Sequence, residues 1–548
     1  MTFGPPDFEF RDPDFIFDDD HLIPNTSSPP YIMSKRQAHS YYAGLPSRPK
    51  LVYRSGAVPW KRPMGPEAYT VRKELKPVFD HKIVAVWKVA GPKIIACLDE
   101  ARVLWTSVDV VRFAIVNERE STGPVILWIG VTPASLSGED AHAVALSCLD
   151  VLKTYNITDV DVEFRESVYR RSAGPSLLGA DSILSRIAPF RVPVSPLVGL
   201  SIAAGVTPHT EGTGGIYFSE GGDSDKVFLL TARHVVLPPN GGANINYSGP
   251  GTNGPRQMIL LLGPKAFDTF IKSMKAEIAR DTFMAEHYRG QLKRLEEEPC
   301  DEDDMVEKRI KEIQRSLNST TERIEELKTF HDEVKKDWTR IGQSRVLTED
   351  YAIIELDRAK LGDAFKGNAI SIETKLRPGE LSMKMDPGDW RDKSRTRTFE
   401  YPFGGLLGLQ GFISEDEMHN PSALDEEGVP SLMVIKRGNA TGVTVGRATG
   451  VFSYIREYGI NGTHQTSMEW AILPYDEKSE EFSAPGDSGA VIVDGRGRIG
   501  GLLTGGTSSN KTESSGIDIT YATPFFWLWP RIQANGFPNA NIIPSGHN

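Results

Sequence analysis

The stretch Ser483-Ala484-Pro485-Gly486-Asp487-Ser488-Gly489-Ala490-Val491-Ile492-Val493 sets a serine in a glycine-flanked turn that runs straight into an apolar strand. Glycine on either side lets the backbone expose the Ser488 hydroxyl and turn amide N–H groups the same way. Such amides stabilise an oxyanion beside an attacking oxygen. Gly-x-Ser alone is common in turns, so the segment gains meaning only from partners. Upstream, Val227-Phe228-Leu229-Leu230-Thr231-Ala232-Arg233-His234-Val235-Val236 is an apolar strand that ends in a histidine. Between the two, Glu349-Asp350-Tyr351-Ala352-Ile353-Ile354-Glu355-Leu356 places an aspartate ahead of an alternating strand. Taken singly, such a histidine is usually a packed residue and such an aspartate caps a strand. Taken together they fill three roles. A serine hydroxyl is a poor nucleophile that needs a base, and the base needs a carboxylate to hold its tautomer. Asp357, at the far end of the aspartate strand, is a second candidate for the acid; Asp350 is preferred.

Working outward, short strands and glycine-rich turns fill 197–203, 214–218 and 227–231, and the same texture runs from 345 to 524. Regularly spaced short strands predict an all-β barrel or sandwich. Residues 434–447, Val-Ile-Lys-Arg-Gly-Asn-Ala-Thr-Gly-Val-Thr-Val-Gly-Arg, lack the Gly-Lys-Ser/Thr end of a phosphate loop and read as a hairpin. Residues 264–341 differ. They are rich in charge, and apolar residues recur with heptad spacing at Val306, Ile310, Ile313, Leu317, Ile324, Leu327, Val334, Trp338 and Ile341. Phe267, Ile271, Met274, Ile278, Ala285, Tyr288, Leu292 and Leu295 repeat the pattern ahead of a turn at Glu298-Pro299-Cys300-Asp301. The spacing predicts an antiparallel coiled-coil hairpin inserted in the β-rich region.

Residues 78–185 read as a small α+β domain of unknown role. Apolar runs at 111–116, 125–131 and 160–164 predict strands, and Ser137 caps a helix carrying Val144, Leu146, Cys148, Leu149 and Leu152. Residues 1–75 read as a disordered or irregular tail, in which Phe8, Phe10, Phe15 and Phe17 alternate with acidic residues.

The three chemical motifs resemble those of the chymotrypsin-like serine proteases, in their disulfide-free intracellular branch. Thr231-Ala232-Arg233-His234 is similar to that family's histidine motif, Gly486-Asp487-Ser488-Gly489 to its nucleophile motif, and Asp350-Tyr351-Ala352-Ile353-Ile354 to its aspartate strand. Gly212-Thr213-Gly214-Gly215-Ile216 resembles a turn of the HtrA-type members. Ile499-Gly500-Gly501-Leu502-Leu503-Thr504-Gly505 is similar to the strand that lines the substrate cleft, and Tyr521-Ala522-Thr523-Pro524 also fits. The likeness spans roughly 190–540 and omits residues 1–185 and the helical insertion. It implies a mainly β, two-barrel protease domain with His234 as general base, Asp350 as its orienter and Ser488 as nucleophile. The backbone N–H groups of Gly486 and Ser488 would form the oxyanion hole. Phe482, Thr504, Gly505 and Gly506 would line the substrate site, with Phe482 a candidate for its floor and an apolar preference expected. Ala490 stands where the family often has glycine. Secreted members pair the acid before the serine, here Asp487, with a new N-terminus made by cleavage, and no cleavage signal is evident.

The 548 residues are 39% hydrophobic and 25% charged, which excludes wholesale disorder. The net charge of -11 argues against nucleic acid as the main partner. No apolar run is long enough for a membrane helix. Cys97, Cys148 and Cys300 form neither a disulfide framework nor a metal-ligand pattern. The acidic, proline-broken start lacks secretory or transit features, so an intracellular, cytoplasmic or nuclear location is expected. The expectation is therefore a serine endopeptidase that needs no metal or organic cofactor. Its substrate would be a protein or peptide, and the coiled coil would make a homo-oligomer or hold a partner. The alternatives are an inactive protease-fold scaffold that binds partners through the α+β domain and the coiled coil, and an esterase using the same triad.

Overall fold

The computed structural model describes, in the main, residues 33–58, 72–115, 122–171, 197–237, 257–297, 304–337, 342–346, 350–356, 367–388, 396–458, 464–508 and 516–543. The acidic–aromatic alternation at the N-terminus, Cys300, Trp338, Ile341 and Asp357 lie outside the described residues.

The chain first builds α1 (Lys35–Ser40), β1 (Leu51–Arg54), β2 (Lys73–Lys76), α2 (Lys82–Glu100), β3 (Trp105–Ile115) and β4 (Thr122–Val131). α3 (Gly138–Lys153), β5 (Val160–Glu166) and β6 (Val168–Arg171) follow. Ser137 caps α3 as predicted, its hydroxyl accepting from the Asp140 N–H at 3.1 Å. α3 is the crossover that lets β4 and β5 lie parallel; the order is β1-β5-β4-β3. One face of this sheet is covered by Ile83, Trp87, Ile94 and Leu98 of α2 and Val144, Cys148 and Leu152 of α3. Leu146, counted with the apolar positions of α3, is exposed instead.

The expected tail needs correction. Tyr42, Leu45 and Leu51 are buried in one cluster with Trp128, so folded structure begins well before residue 75. α1 and β1 have 6 and 4 residues, too few for a periodicity to be read.

Next come β7 (Leu200–Ala204), β8 (Glu211–Gly214), β9 (Tyr217–Gly221), β10 (Ser224–Thr231), α4 (Arg233–Val236) and β11 (Gln257–Leu261). The helices α5 (Pro264–Glu297) and α6 (Asp304–Asp337) precede β12 (Gly342–Val346) and β13 (Ala352–Leu356). β8 pairs with β7, β7 with β11, β11 with β12, β12 with β13 and β13 with β10. The β8–β9 connection returns against β10 through Gly215 N–H to Leu230 O (2.7 Å) and Leu230 N–H to Ile216 O (2.8 Å). α5 and α6 thus extend the β11–β12 hairpin outward as an antiparallel pair. Phe270 and Met274 near the start of α5 meet Val334 near the end of α6. Midway, Arg323 of α6 bonds the buried Asp281 of α5 at 2.7 Å. The heptad positions Met274, Ala285, Leu292, Ile313, Ile324, Leu327 and Val334 are buried.

β14 (Ala369–Ser371), α7 (Pro378–Met385), β15 (Leu406–Gly408) and α8 (Glu415–His419) connect to a second set: β16 (Leu432–Gly438), β17 (Gly442–Ala448), β18 (Ser453–Tyr458), β19 (His464–Pro474), β20 (Val491–Asp494), β21 (Ile499–Ser508) and β22 (Ile519–Pro524). Here β16 pairs with β17, β17 with β19, β19 with β22, β22 with β21, β21 with β20 and β20 with β16, so the pairings return to their start. α9 (Phe525–Ala534) crosses to the first set and buries Phe525, Leu528, Trp529 and Ile532 in its core. β23 (Asn541–Ile542) pairs with β9.

The expected mainly β class gives way to a mixed α and β architecture with a large, mostly antiparallel sheet and a long helix pair. The β motifs dominated the sequence reading because the three candidate site residues lie on them, whereas α2, α3, α5 and α6 carry much of the rest. The N-terminal unit is also joined edge to edge with the second strand set. β3 pairs with β18, and β6 with β21, within one 13-stranded sheet.

A buried cation locks this junction. Arg165 on β5 has no exposed surface, lies over the Trp128 ring at 3.2 Å, and bonds Asp109 of β3 (3.2 Å) and Asp518 (3.3 Å). Asp518 also accepts the Ser47 N–H at 2.7 Å, and Tyr521 donates to Asp109 at 3.0 Å. Burial pushes both carboxyls above the usual range, against the pull of Arg165. Arg165→Met leaves two buried carboxylates without their cation. A stability loss of about 3–5 kcal/mol is expected in urea unfolding, and a loss below about 1 kcal/mol would refute the lock.

Candidate active site

Asp350 sits just ahead of β13, which pairs with β10 in the register Thr231↔Ala352. That pairing sets the two strand ends side by side, and the one-turn helix α4 after β10 carries His234 over the aspartate. His234 Nδ1 lies 3.2 Å from both Asp350 carboxylate oxygens. With Nδ1 donating its proton to the carboxylate, Nε2 keeps its lone pair. Nε2 is buried and has no hydrogen-bond partner among the described residues.

Ser488 stands in the turn before β20. Gly486 and Gly489 have φ of +112° and +89°, the left-handed region that favours glycine. At Gly489 a Cβ would lie 2.3 Å from Thr231 Oγ1 and 3.0 Å from Ala232 N, so the Ser488 turn packs on the backbone just before His234. The Ser488 hydroxyl donates to Thr504 O at 3.0 Å, and the residue has no exposed surface. Geometry therefore joins His234 to Asp350 directly. It brings Ser488 to the same strand end, with its hydroxyl turned to β21.

Two residues that the motifs did not single out hold this turn. Thr213 of β8 takes the Ser488 carbonyl through its N–H (2.8 Å) and donates its hydroxyl to Gly486 O (3.0 Å). It also accepts from the Asn439 N–H (3.0 Å), while its carbonyl accepts from Thr231 (2.7 Å). Lys436 of β16 is the second. Its ammonium lies 3.1 Å from Asp487, and neither side chain has exposed surface. Asp487 further accepts from Ala440 N–H (2.7 Å), Thr441 N–H (3.2 Å), the Thr441 hydroxyl (2.7 Å) and Ala484 N–H (3.0 Å). Burial draws the Lys436 pKa down and the Asp487 charge opposes that. The stretch 434–447 forms the hairpin β16–β17, as read from sequence, and it delivers this lysine.

The expected substrate-lining residues are placed less openly. Phe482 is buried in the core, close against Gly446. Gly506 faces Ile517, whose Cγ2 lies 2.5 Å from where a Cβ would stand. Thr504 donates its hydroxyl to Tyr521 O at 3.2 Å. Gly505 pairs with Tyr521 on one side and with Arg171 on the other. Phe482 and Gly506 are thus packed against the protein's own side chains, and Gly505 lies between two strands. A cavity of about 490 Å³ does open beside Asp350, lined also by Tyr169, Glu457, Met468, Phe526 and Trp527.

Among the described residues, no group of three or more His, Cys, Asp or Glu stands close enough to hold a metal ion. No helix among them is long and apolar enough to cross a membrane. Burial pushes the Cys148 thiol up to about 12. No family model matches this chain, and no curated protein matches it.

Thr213→Val keeps the shape but strands the Asn439 N–H and the Gly486 carbonyl. It is expected to cost about 1–3 kcal/mol in thermal unfolding. Thr213→Ser retains the hydroxyl and should lose clearly less. Equal losses in the two variants would show that packing, not the hydroxyl, matters here.

Proposed function

We propose that the protein is a serine endopeptidase that cleaves peptide bonds through His234, Asp350 and Ser488. The observation that carries this reading is the His234–Asp350 pair. An imidazole is oriented by a carboxylate at 3.2 Å, its other nitrogen is buried without a hydrogen-bond partner among the described residues, and the turn that carries Ser488 packs on the backbone just before the histidine. That is what a general base requires before substrate arrives. A rotation of the Ser488 side chain away from Thr504 O toward Nε2 would complete the relay.

In this mechanism Ser488 Oγ attacks the peptide carbonyl carbon and His234 Nε2 takes its proton. Asp350 stabilises the imidazolium. The N–H groups of Gly486 and Ser488 bear the oxyanion, and removing one such donor typically costs about 10²–10³ in rate. Collapse of the tetrahedral intermediate breaks the C–N bond, and Nε2 returns its proton to the leaving amine. Water then repeats the sequence on the acyl ester and frees the acid.

Both sets of antiparallel strands have pairings that return on themselves, which supports the finer reading of two barrels with the triad between them. The Lys436–Asp487 pair supports it as well. It supplies, within the uncut chain, the cation that secreted relatives of this fold obtain from a new N-terminus. The helix pair is proposed as an arm for a partner or a second copy.

One observation favours the inactive-scaffold alternative: Ser488 is wholly buried with its hydroxyl on a carbonyl. Labelling with a fluorophosphonate probe separates the two. Wild type is expected to form the Ser488 Oγ–P bond with loss of fluoride, while Ser488→Ala is inert and His234→Ala loses at least about 10³ in rate. Absence of labelling at Ser488 in folded wild-type protein, with or without the variant described next, would leave the scaffold reading.

A further inference from the structure

β21 has two neighbours in succession along one edge. Its first half pairs with β20 in the register Val491↔Leu502, Ile492↔Gly501. β20 then leaves through the Ser488 turn, and beyond that point the edge is open to another strand. The register of β21 on β22 slips between Leu503 and Gly505, a bulge that turns the Thr504 carbonyl to the Ser488 hydroxyl. The edge from Gly505 to Ser508 therefore starts one residue from the group that touches the nucleophile.

That edge is filled by the chain itself. β6 runs antiparallel along it with Gly505↔Arg171, Gly506↔Arg170, Thr507↔Tyr169 and Ser508↔Val168. The C-terminal end of β6 thus points at Thr504 and Ser488. Tyr169 stands between the strand sets, its ring tilted against that of Tyr521 with centroids 6.2 Å apart, and lines the cavity that Asp350 shares. Within the closed set β21 pairs with β20 and β22.

An extended peptide is bound most simply by adding a strand to an exposed sheet edge, where main-chain hydrogen bonds give affinity. In the serine endopeptidase reading an extended peptide would lie along the edge of β21 from Gly505; we infer that β6 occupies this edge in cis as a substrate-like strand and holds the site closed. The inference rests on the serine endopeptidase reading. It deepens that reading by naming how the site is regulated. The N-terminal unit, whose role the sequence left open, is the inhibitor, and a partner that pulls β6 off the edge is the activator.

The test uses the full chain. Arg170→Pro, opposite Gly506, places a residue with no N–H in the middle of the paired strand; Arg170→Gly weakens the strand more gently and serves if the proline variant does not fold. Two readouts are taken: the rate of fluorophosphonate labelling at Ser488, and amide hydrogen exchange across 499–508. The expected result is labelling at least about tenfold faster than wild type, as a rarely open site becomes mostly open. Amides at 505–508 should lose protection while those at 499–503 keep it. Labelling at the wild-type rate with 505–508 deprotected would overturn the inference and leave the hydrolase reading intact. No labelling at Ser488 in either protein, with 505–508 deprotected, would instead sink the hydrolase reading and this inference with it.

Discussion

Two opposite charges with no exposed surface, Lys436 and Asp487, fix the geometry on which the candidate site depends. A lone buried carboxylate beside a nucleophile would take up a proton or pull the turn out to water. Beside the lysine, Asp487 gathers four donors around itself, from 440–441 and from Ala484. Those bonds set the path of the chain from Ala484 to Gly489, and hence where the Ser488 hydroxyl and the Gly486 amide face. Thr213 ties the same turn from the other strand set. The serine is thus held from both halves of the β-rich region, and the halves cannot slide apart without disturbing it.

His234, Asp350 and Ser488 were legible because each lies in a short motif whose local backbone is itself distinctive: a strand end, a strand start and a Gly-x-Ser-Gly turn. The helix pair was legible because a heptad pattern is long and periodic; Met274, Leu327 and Val334 lie where it puts them. Lys436 was not. Within its own strand it reads as one polar residue in an alternating hairpin, and only tertiary pairing brings Asp487 to it. Thr213 was quoted for its glycine neighbours, yet its hydroxyl and amide do the holding. β6 is four residues long, and its partner on β21 lies far down the chain, so no local pattern announces the pairing. The same brevity hid α1 and β1. The class itself, mixed rather than mainly β, was missed because the motifs that drew the reading all lie on strands.

The position of the helix pair has a simple topological reason. A β-hairpin can be lengthened at its turn without altering the register of its strands, because closing a longer loop adds only a slowly growing entropy cost. α5 and α6 use the turn between β11 and β12, whose pairing Ile259↔Gly342 survives the insertion. β12 in turn pairs with β13 along its length, from Gly342↔Leu356 to Val346↔Ala352. The arm is therefore rooted one strand away from the one that follows Asp350.

The continuity of β3 with β18 and of β6 with β21 also governs how the polypeptide can be divided. In many two-part proteins each half keeps a finished surface, and a cut in the linker yields two well-behaved pieces. Here the cut would fall inside a sheet. A fragment beginning at the β-rich half would present the raw edges of β18 and β21 to solvent, rows of unpaired N–H and C=O groups that invite pairing with any other strand. The N-terminal unit is in that sense a shield against self-association as much as a neighbour of the candidate site. The two halves form a single object to chaperones and to the concentration at which the protein stays dispersed.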